Sequence, residues 1–272
     1  IANPSRDASR YISITSIELL PEKSDTYCLE ESYNHSCMFN HVVTGQCGEL
    51  GLSGYDSCRL IATNLYSLVE NPFTNKAALD TVKAYEVFYE AQVLADNLVD
   101  LELEAVDKIL IKINPKYQEV LNISKNGNYS VEDSFNMWRT YISIRNIDLS
   151  DEFKLWWKIR QIGSQGRRTG TGITAYSDML AALYKPYGDT YITDLIFNIK
   201  LQAELDASID MAILRGAFPL WDKNQEFNKD TITGSDVNNQ WYHNMLHLYP
   251  EQMNRMYQYG RRNAGLLMLA AY

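Results

Sequence analysis

From Lys76 to about Ile113 apolar residues mostly recur at three or four positions, at Leu79, Phe88, Ala91, Ala95, Leu98, Val106 and Ile109. That spacing predicts one long amphipathic helix, because 3.6 residues per turn places these side chains on one stripe. "NPKY" (114–117) ends it, since Pro115 lacks an amide hydrogen and disfavours helix in the residue before it. A second long helix is expected over roughly 190–214, with Ile192, Leu195, Ile196, Ile199, Ala203, Ala207, Met211 and Leu214 on one face and Gly216 as its stop.

Shorter elements fill the rest. "CRLIATNLYSLV" (58–69) reads as a buried strand, and "NPFT" (71–74) breaks the chain after it. Ser150 has the character of a helix N-cap, with Asp151 and Glu152 in the first turn where the helix dipole favours acids. "GRRTGTGIT" (166–174) reads as a turn and strand, "DMLAALY" as a helix stopping near Gly188, and 222–240 as a polar loop. "PEQMNRMYQYG" reads as a helix with Pro250 at its start, and "NAGLLMLAAY" as a last buried strand. Short strands between long helices predict an α/β fold in which helix exceeds strand. With no repeat or composition boundary, residues 1–272 are expected to form one domain, with 1–40 an irregular lead-in.

Twenty-five basic residues against 34 acidic ones give a net charge of −9. That argues against nucleic-acid binding, which draws on clustered Lys and Arg. No apolar run reaches the roughly 18 residues of a membrane span, and "IANPSRDASRY" has no signal-peptide core. The expected compartment is therefore the cytoplasm. Four cysteines, Cys28, Cys37, Cys47 and Cys58, fall in the first quarter of the chain. In a reducing compartment such clusters serve metals or catalysis more often than disulfides.

The densest chemistry lies in "GQCGELGLSGYDSCRL" (45–60). Cys47 is a nucleophile, ligand or radical carrier by its chemistry, and Glu49 two residues on can act as a base toward a substrate held over both. The alternative is a structural cysteine in a glycine-rich turn with a solvated acid. Cys58 opens the apolar run, either as a small hydrophobe or as a second thiol reaching the same pocket. His35, Cys37 and His41, with Cys28 nearby, lack the paired C-x2-C spacing of structural zinc sites, so no metal is expected. His243 and His247 lack a third ligand. "GRRTGTGIT" is neither a Walker loop nor G-x-G-x-x-G, and reads as a packing turn whose arginines make salt bridges. Asp96, Asp100, Glu102 and Glu104 read as a solvated helix face.

Six stretches, in order, resemble the catalytic subunit of ribonucleotide reductase. They are "GQCGELGLSGYDSCRLIATNLYSLVENPFT", "LADNLVDLE" (94–102), "GRRTGTGIT", "DMLAALYKPYG" (178–188), "RGAFP" (215–219) and "YGRRNAGLLMLAA" (259–271). The style is closest to the class II, adenosylcobalamin-dependent enzymes. The resemblance implies a helix-rich segment of a ten-stranded α/β barrel over 41–272, with the radical cysteine on a finger loop. It implies Cys47 as the thiyl carrier, Glu49 as the base at the ribose 3′ hydroxyl, and Cys58 as one of two reducing thiols. Gly45 stands where the family's ribose-binding asparagine belongs.

The implied substrate is a ribonucleoside di- or triphosphate. The implied cofactor is adenosylcobalamin, the alternative being a radical supplied by a ferritin-like dimetal subunit. The family's upstream redox cysteine and its substrate-phosphate loop do not match this sequence, so complementing reductase chains are expected, with a thioredoxin-like reductant for the whole enzyme. Homo-oligomerisation is left open. The other reading is a non-catalytic scaffold or degenerate relative, marked by Gly45.

Overall fold

The structure is a computed structural model that describes residues 36–39, 42–45, 52, 54–144, 149–227 and 245–265. Two compact units are distinguished, residues 1–48 and residues 49–272. In the first, β1 (Ser36–Phe39) pairs antiparallel with β2 (Val42–Gly45), Ser36 opposite Gly45.

The second unit is helix-rich. β3 (Arg59–Asn64) runs into a 3-10 turn (Leu65–Leu68), then β4 (Val69–Glu70) pairs antiparallel with β5 (Ala78–Leu79). So the apolar run over 58–69 is half strand and half turn. Asn64 redirects the chain by accepting a hydrogen bond from the Tyr66 amide at 3.0 Å. Helix α1 (Thr81–Ile113) starts where Asp80 caps the Lys83 amide at 2.9 Å. The predicted start at Lys76 is therefore early by one short strand. Two helices follow, α2 (Tyr117–Gly127) and α3 (Val131–Ile144), where no sequence pattern had been read. Their apolar positions pack on α1 and α4 (Asp151–Gly166) through Tyr117, Val120, Phe135, Trp138 and Phe153, an aromatic-rich core.

Strand β6 (Thr169–Thr174) pairs parallel with β3, Arg59 opposite Thr169 and Asn64 opposite Thr174. Helix α5 (Tyr176–Ala182) then turns back, ending at Ala182 rather than near Gly188. Helix α6 (Thr190–Arg215) lies along α1, and Gly216, with φ +85°, ends it as expected. A short α7 (Lys223–Glu226) and a longer α8 (Pro250–Tyr259) complete the described elements. The α1–α6 contact is lined by Phe88, Ile196 and Ala203 and closed by Leu65, Leu68, Met179 and Leu180. Two stripe positions miss the core. Leu98 is 37 % exposed and Leu214 is 81 % exposed. Among the described residues no helix is long and apolar enough to cross a membrane. The fold is α/β in its elements, with few strands; of the last predicted strand (263–272), residues 263–265 are not in a strand and the rest lies outside the described residues.

Candidate functional site

In a strand, side chains alternate between faces, and the β3–β6 pair uses the two faces differently. Thr169 and Thr171 face the helices. Thr169 bonds Gln92 of α1 at 3.0 Å. Thr171 donates to Glu204 of α6, and Lys200 reaches Thr171 at 3.1 Å and Glu204 at 2.5 Å. On the other face Leu60 is 46 % exposed and Ala62 and Asn64 are exposed. Cys58, half-buried, lies on this second face, just ahead of β3.

Gly170 forms the floor under Cys58. A Cβ built on Gly170 would stand 2.8 Å from Cys58 Sγ and 2.6 Å from Leu60 Cδ2, so only glycine leaves room for both. The residues flanking Cys58 are fixed by charge. Arg59 Nε donates to Glu102, Arg59 Nη1 donates to the Ser57 carbonyl at 2.8 Å, and Ser57 Oγ donates to Glu102 at 3.3 Å. Arg168 Nη1 donates to the fully buried Asp56 carboxylate, and the Ser57 amide donates to the other Asp56 oxygen at 2.9 Å. Charge-assisted pairs of this kind hold geometry better than neutral ones.

Behind the sheet sits a buried polar hub centred on Asp96, which is 0 % exposed. Its Oδ1 takes Arg167 Nη2 at 2.7 Å and Asn263 Nδ2 at 2.9 Å, and its Oδ2 takes Arg215 at 3.3 Å and Arg262 at 3.4 Å. Arg167 also pairs with Asp100 at 2.8 Å. Burial lowers the Arg262 affinity for its proton, and the neighbouring Arg167 adds to that. Arg167 itself occupies the left-handed region, φ +45°, as the C-cap of α4, which turns it toward Asp96. The hub corrects the reading of Asp96, Asp100 and Glu102 as a solvated face: Asp96 is buried, and Asp100 and Glu102 are committed to arginines, while Glu104 is exposed as read. The reading of "GRRTGTGIT" as a packing turn with salt-bridging arginines holds, for Arg167 and Arg168 are both paired. Four of the six sequence stretches, those carrying Asp96, Arg167, Arg215 and Arg262, meet in this hub.

A third network lies along α6. Tyr85 and Tyr89 of α1 donate to Asp206 and Asp210 at 2.9 Å each, and Arg255 of α8 bridges both acids. Nothing in the sequence pattern pointed to it, because its partners are 45 to 121 residues apart.

Of the expected site residues, Cys58 is placed as described. Gly45 is the last residue of β2. Cys47 and Glu49 lie outside the described residues, as do Cys28, His35, His41 and His243. Among the described residues no group of three or more His, Cys, Asp or Glu is arranged to hold a metal ion.

No family model matches the chain. The ribonucleoside-diphosphate reductase large subunit of Invertebrate iridescent virus 6 is 38 % identical to it over 65 residues. Over that stretch the chain is reductase-like. The stretch covers 24 % of this chain and 7 % of that protein, so the match spans only a small part of the relative's length.

Proposed function

We propose that this chain carries the radical-cysteine segment of a ribonucleotide reductase, folded as part of a ten-stranded α/β barrel in which β3 and β6 are neighbouring strands. The observation that carries the reading is Cys58. Its thiol stands on the face of the parallel strands away from the helices, over a glycine, with its flanking residues held by two ion pairs. A thiol that must meet a substrate and then a second thiol needs that combination of access and fixed geometry. The partial identity to a diphosphate reductase supports it and favours ribonucleoside diphosphates as substrates.

In this reading Cys47 as a thiyl takes hydrogen from the ribose 3′ carbon and becomes a thiol. Glu49 takes the 3′ hydroxyl proton. The 2′ hydroxyl leaves as water with a proton from one thiol. Cys58 and a second thiol supply two electrons and the second proton to the 2′ carbon and close a disulfide. Glu49 returns its proton to the 3′ oxygen, and Cys47 returns its hydrogen to the 3′ carbon, regenerating the thiyl. A thioredoxin-like protein then reduces that disulfide. The second thiol and the phosphate loop come from further reductase polypeptide, covalently continuous or separate. Gly45 leaves the ribose hydroxyls to another donor.

The radical source we propose is adenosylcobalamin, acting in the cytoplasm. The described cavities, about 280 Å³ beside Lys223 and Tyr257 and about 270 Å³ beside Glu119 and Trp138, do not fit a corrin and touch none of the proposed catalytic residues. A ferritin-like dimetal subunit is the second source, favoured by the relative's designation as a large subunit. Gly45 in place of asparagine favours a second reading of the whole chain, a non-catalytic scaffold. Native mass spectrometry of the protein from its natural source, with a deoxynucleotide assay, separates them. Reduction of a ribonucleotide by a complex containing this chain is expected. A complex with every other component that makes no deoxynucleotide from any radical source refutes the enzyme reading.

A further inference from the structure

Three glycines lie against Cys58 or against the two arginines that hold its segment. A Cβ on Gly163 would stand 2.9 Å from Arg59 Nη2, one on Gly166 would collide with Arg168 Nη1, and one on Gly170 would stand 2.8 Å from Cys58 Sγ. All three belong to one continuous stretch, the end of α4 and the start of β6. Arg59 and Arg168 are the cations of the two ion pairs that hold Cys58 from either side. The stretch therefore receives the Arg59 clasp and the thiol and supplies the Arg168 clasp itself, and at each contact the glycine is what makes the space.

We infer that Gly163, Gly166 and Gly170 form a cradle that sets the position of the Cys58 thiol, with Gly170 as the positioning residue for the sulfur itself. The purpose given to that thiol rests on the reductase reading; the cradle rests on the geometry alone. A methyl group at Gly170 cannot be met by moving backbone, because β6 is tied to β3 along its whole length, Arg59 to Asn64. It must be met by the two side chains above it. The sulfur then leaves the floor toward the open face, where it is more accessible to small electrophiles.

Residue-resolved alkylation of the 272-residue chain tests this, since no turnover is needed. Pulses of iodoacetamide are quenched, and Cys28, Cys37, Cys47 and Cys58 are read separately by peptide mass spectrometry. In Gly170→Ala the Cys58 rate is expected to rise by about threefold or more, with the other three rates unmoved. Gly54→Ala is the control, because nothing lies within 4 Å of a Cβ there, and it should leave Cys58 unchanged. The double variant L60A/G170A removes the Leu60 clash and leaves the sulfur clash. A rate still raised in the double variant supports the cradle. A rate restored to the wild-type value shows that the glycine serves Leu60 and overturns it, as does an unchanged rate in Gly170→Ala.

If Gly170→Ala does not fold, Glu102→Gln carries the test by loosening the Arg59 clasp. Selective acceleration at Cys58 supports the proposal and none overturns it. A complex that shows the alkylation effect and makes no deoxynucleotide would keep the cradle and remove the reductase reading. Turnover with no alkylation effect would do the reverse.

Discussion

At Asp96 one buried carboxylate answers three guanidinium groups and an amide, with Arg167 and Asn263 out of solvent and Arg215 partly exposed. Removing a member of a buried ionic set leaves its partners desolvated and unneutralised, at a cost of about 3–5 kcal/mol. Asp96→Asn is expected to lower the urea midpoint by that much stability without changing the denaturant slope. The tyrosines give a pH signature. Burial raises the Tyr85, Tyr89, Tyr117 and Tyr249 hydroxyls above the usual phenol range, and Asp206 and Asp210 add to the rise at Tyr85 and Tyr89. A folded-state pKa above the unfolded one gives stability that is complete below the unfolded value and lost as pH rises through the folded one. Unfolding free energy should therefore fall as pH climbs above about 10. In Tyr117→Phe that alkaline slope should be shallower, with about 1 kcal/mol lost at neutral pH as Asp107 loses its 2.7 Å hydrogen bond. At this scale the sequence misread Asp96, which is buried. An acid in a helix looks solvated until the arginine 71 residues downstream is folded onto it.

Helices α1 and α6 were legible because amphipathic period survives in sequence, and their ends were legible where Pro115 and Gly216 act locally, whereas the Asp80 cap that starts α1 was not read. The pair α2–α3 was not. Its core is made of aromatic contacts such as Phe135 on Trp157, ring centroids 3.7 Å apart, which follow no short repeat. Period alone also cannot say where a helix leaves its partner. Phe88→Ala on the α1 stripe is expected to cost about 3–5 kcal/mol, whereas Leu214→Ala, on the α6 stripe but exposed, should stay within about 0.5 kcal/mol. Paired thermal melts of the two variants would check this contrast. Gly260→Ala should also destabilise, since its φ is +79° and a Cβ would stand 2.8 Å from Ala217 and 3.2 Å from Trp221.

For the molecule as a whole, the informative feature is the parallel pair β3–β6. Parallel strands are ordinarily covered on both faces. Here α1 and α6 cover one face, and Leu60, Ala62 and Asn64 stand exposed on the other. The barrel reading supplies the missing cover as further reductase polypeptide closing over Cys58. In the isolated chain, β3 and β6 amides should exchange with solvent faster than those of the α1–α6 core, and slow when the remaining polypeptide is added. The α/β class and the reductase likeness were legible from ordered short motifs. The convergence of those motifs on Asp96 was not, because it depends on four segments meeting in space.

The most direct test of the central claim is a single turnover. The assembled, pre-reduced enzyme is given ribonucleoside diphosphate and no external reductant, then alkylated and read at each cysteine. Loss of alkylatable Cys58 in step with deoxynucleotide formed, one disulfide per product, is the expected result. Deoxynucleotide formed while Cys58 stays fully alkylatable would contradict its role as a reducing thiol.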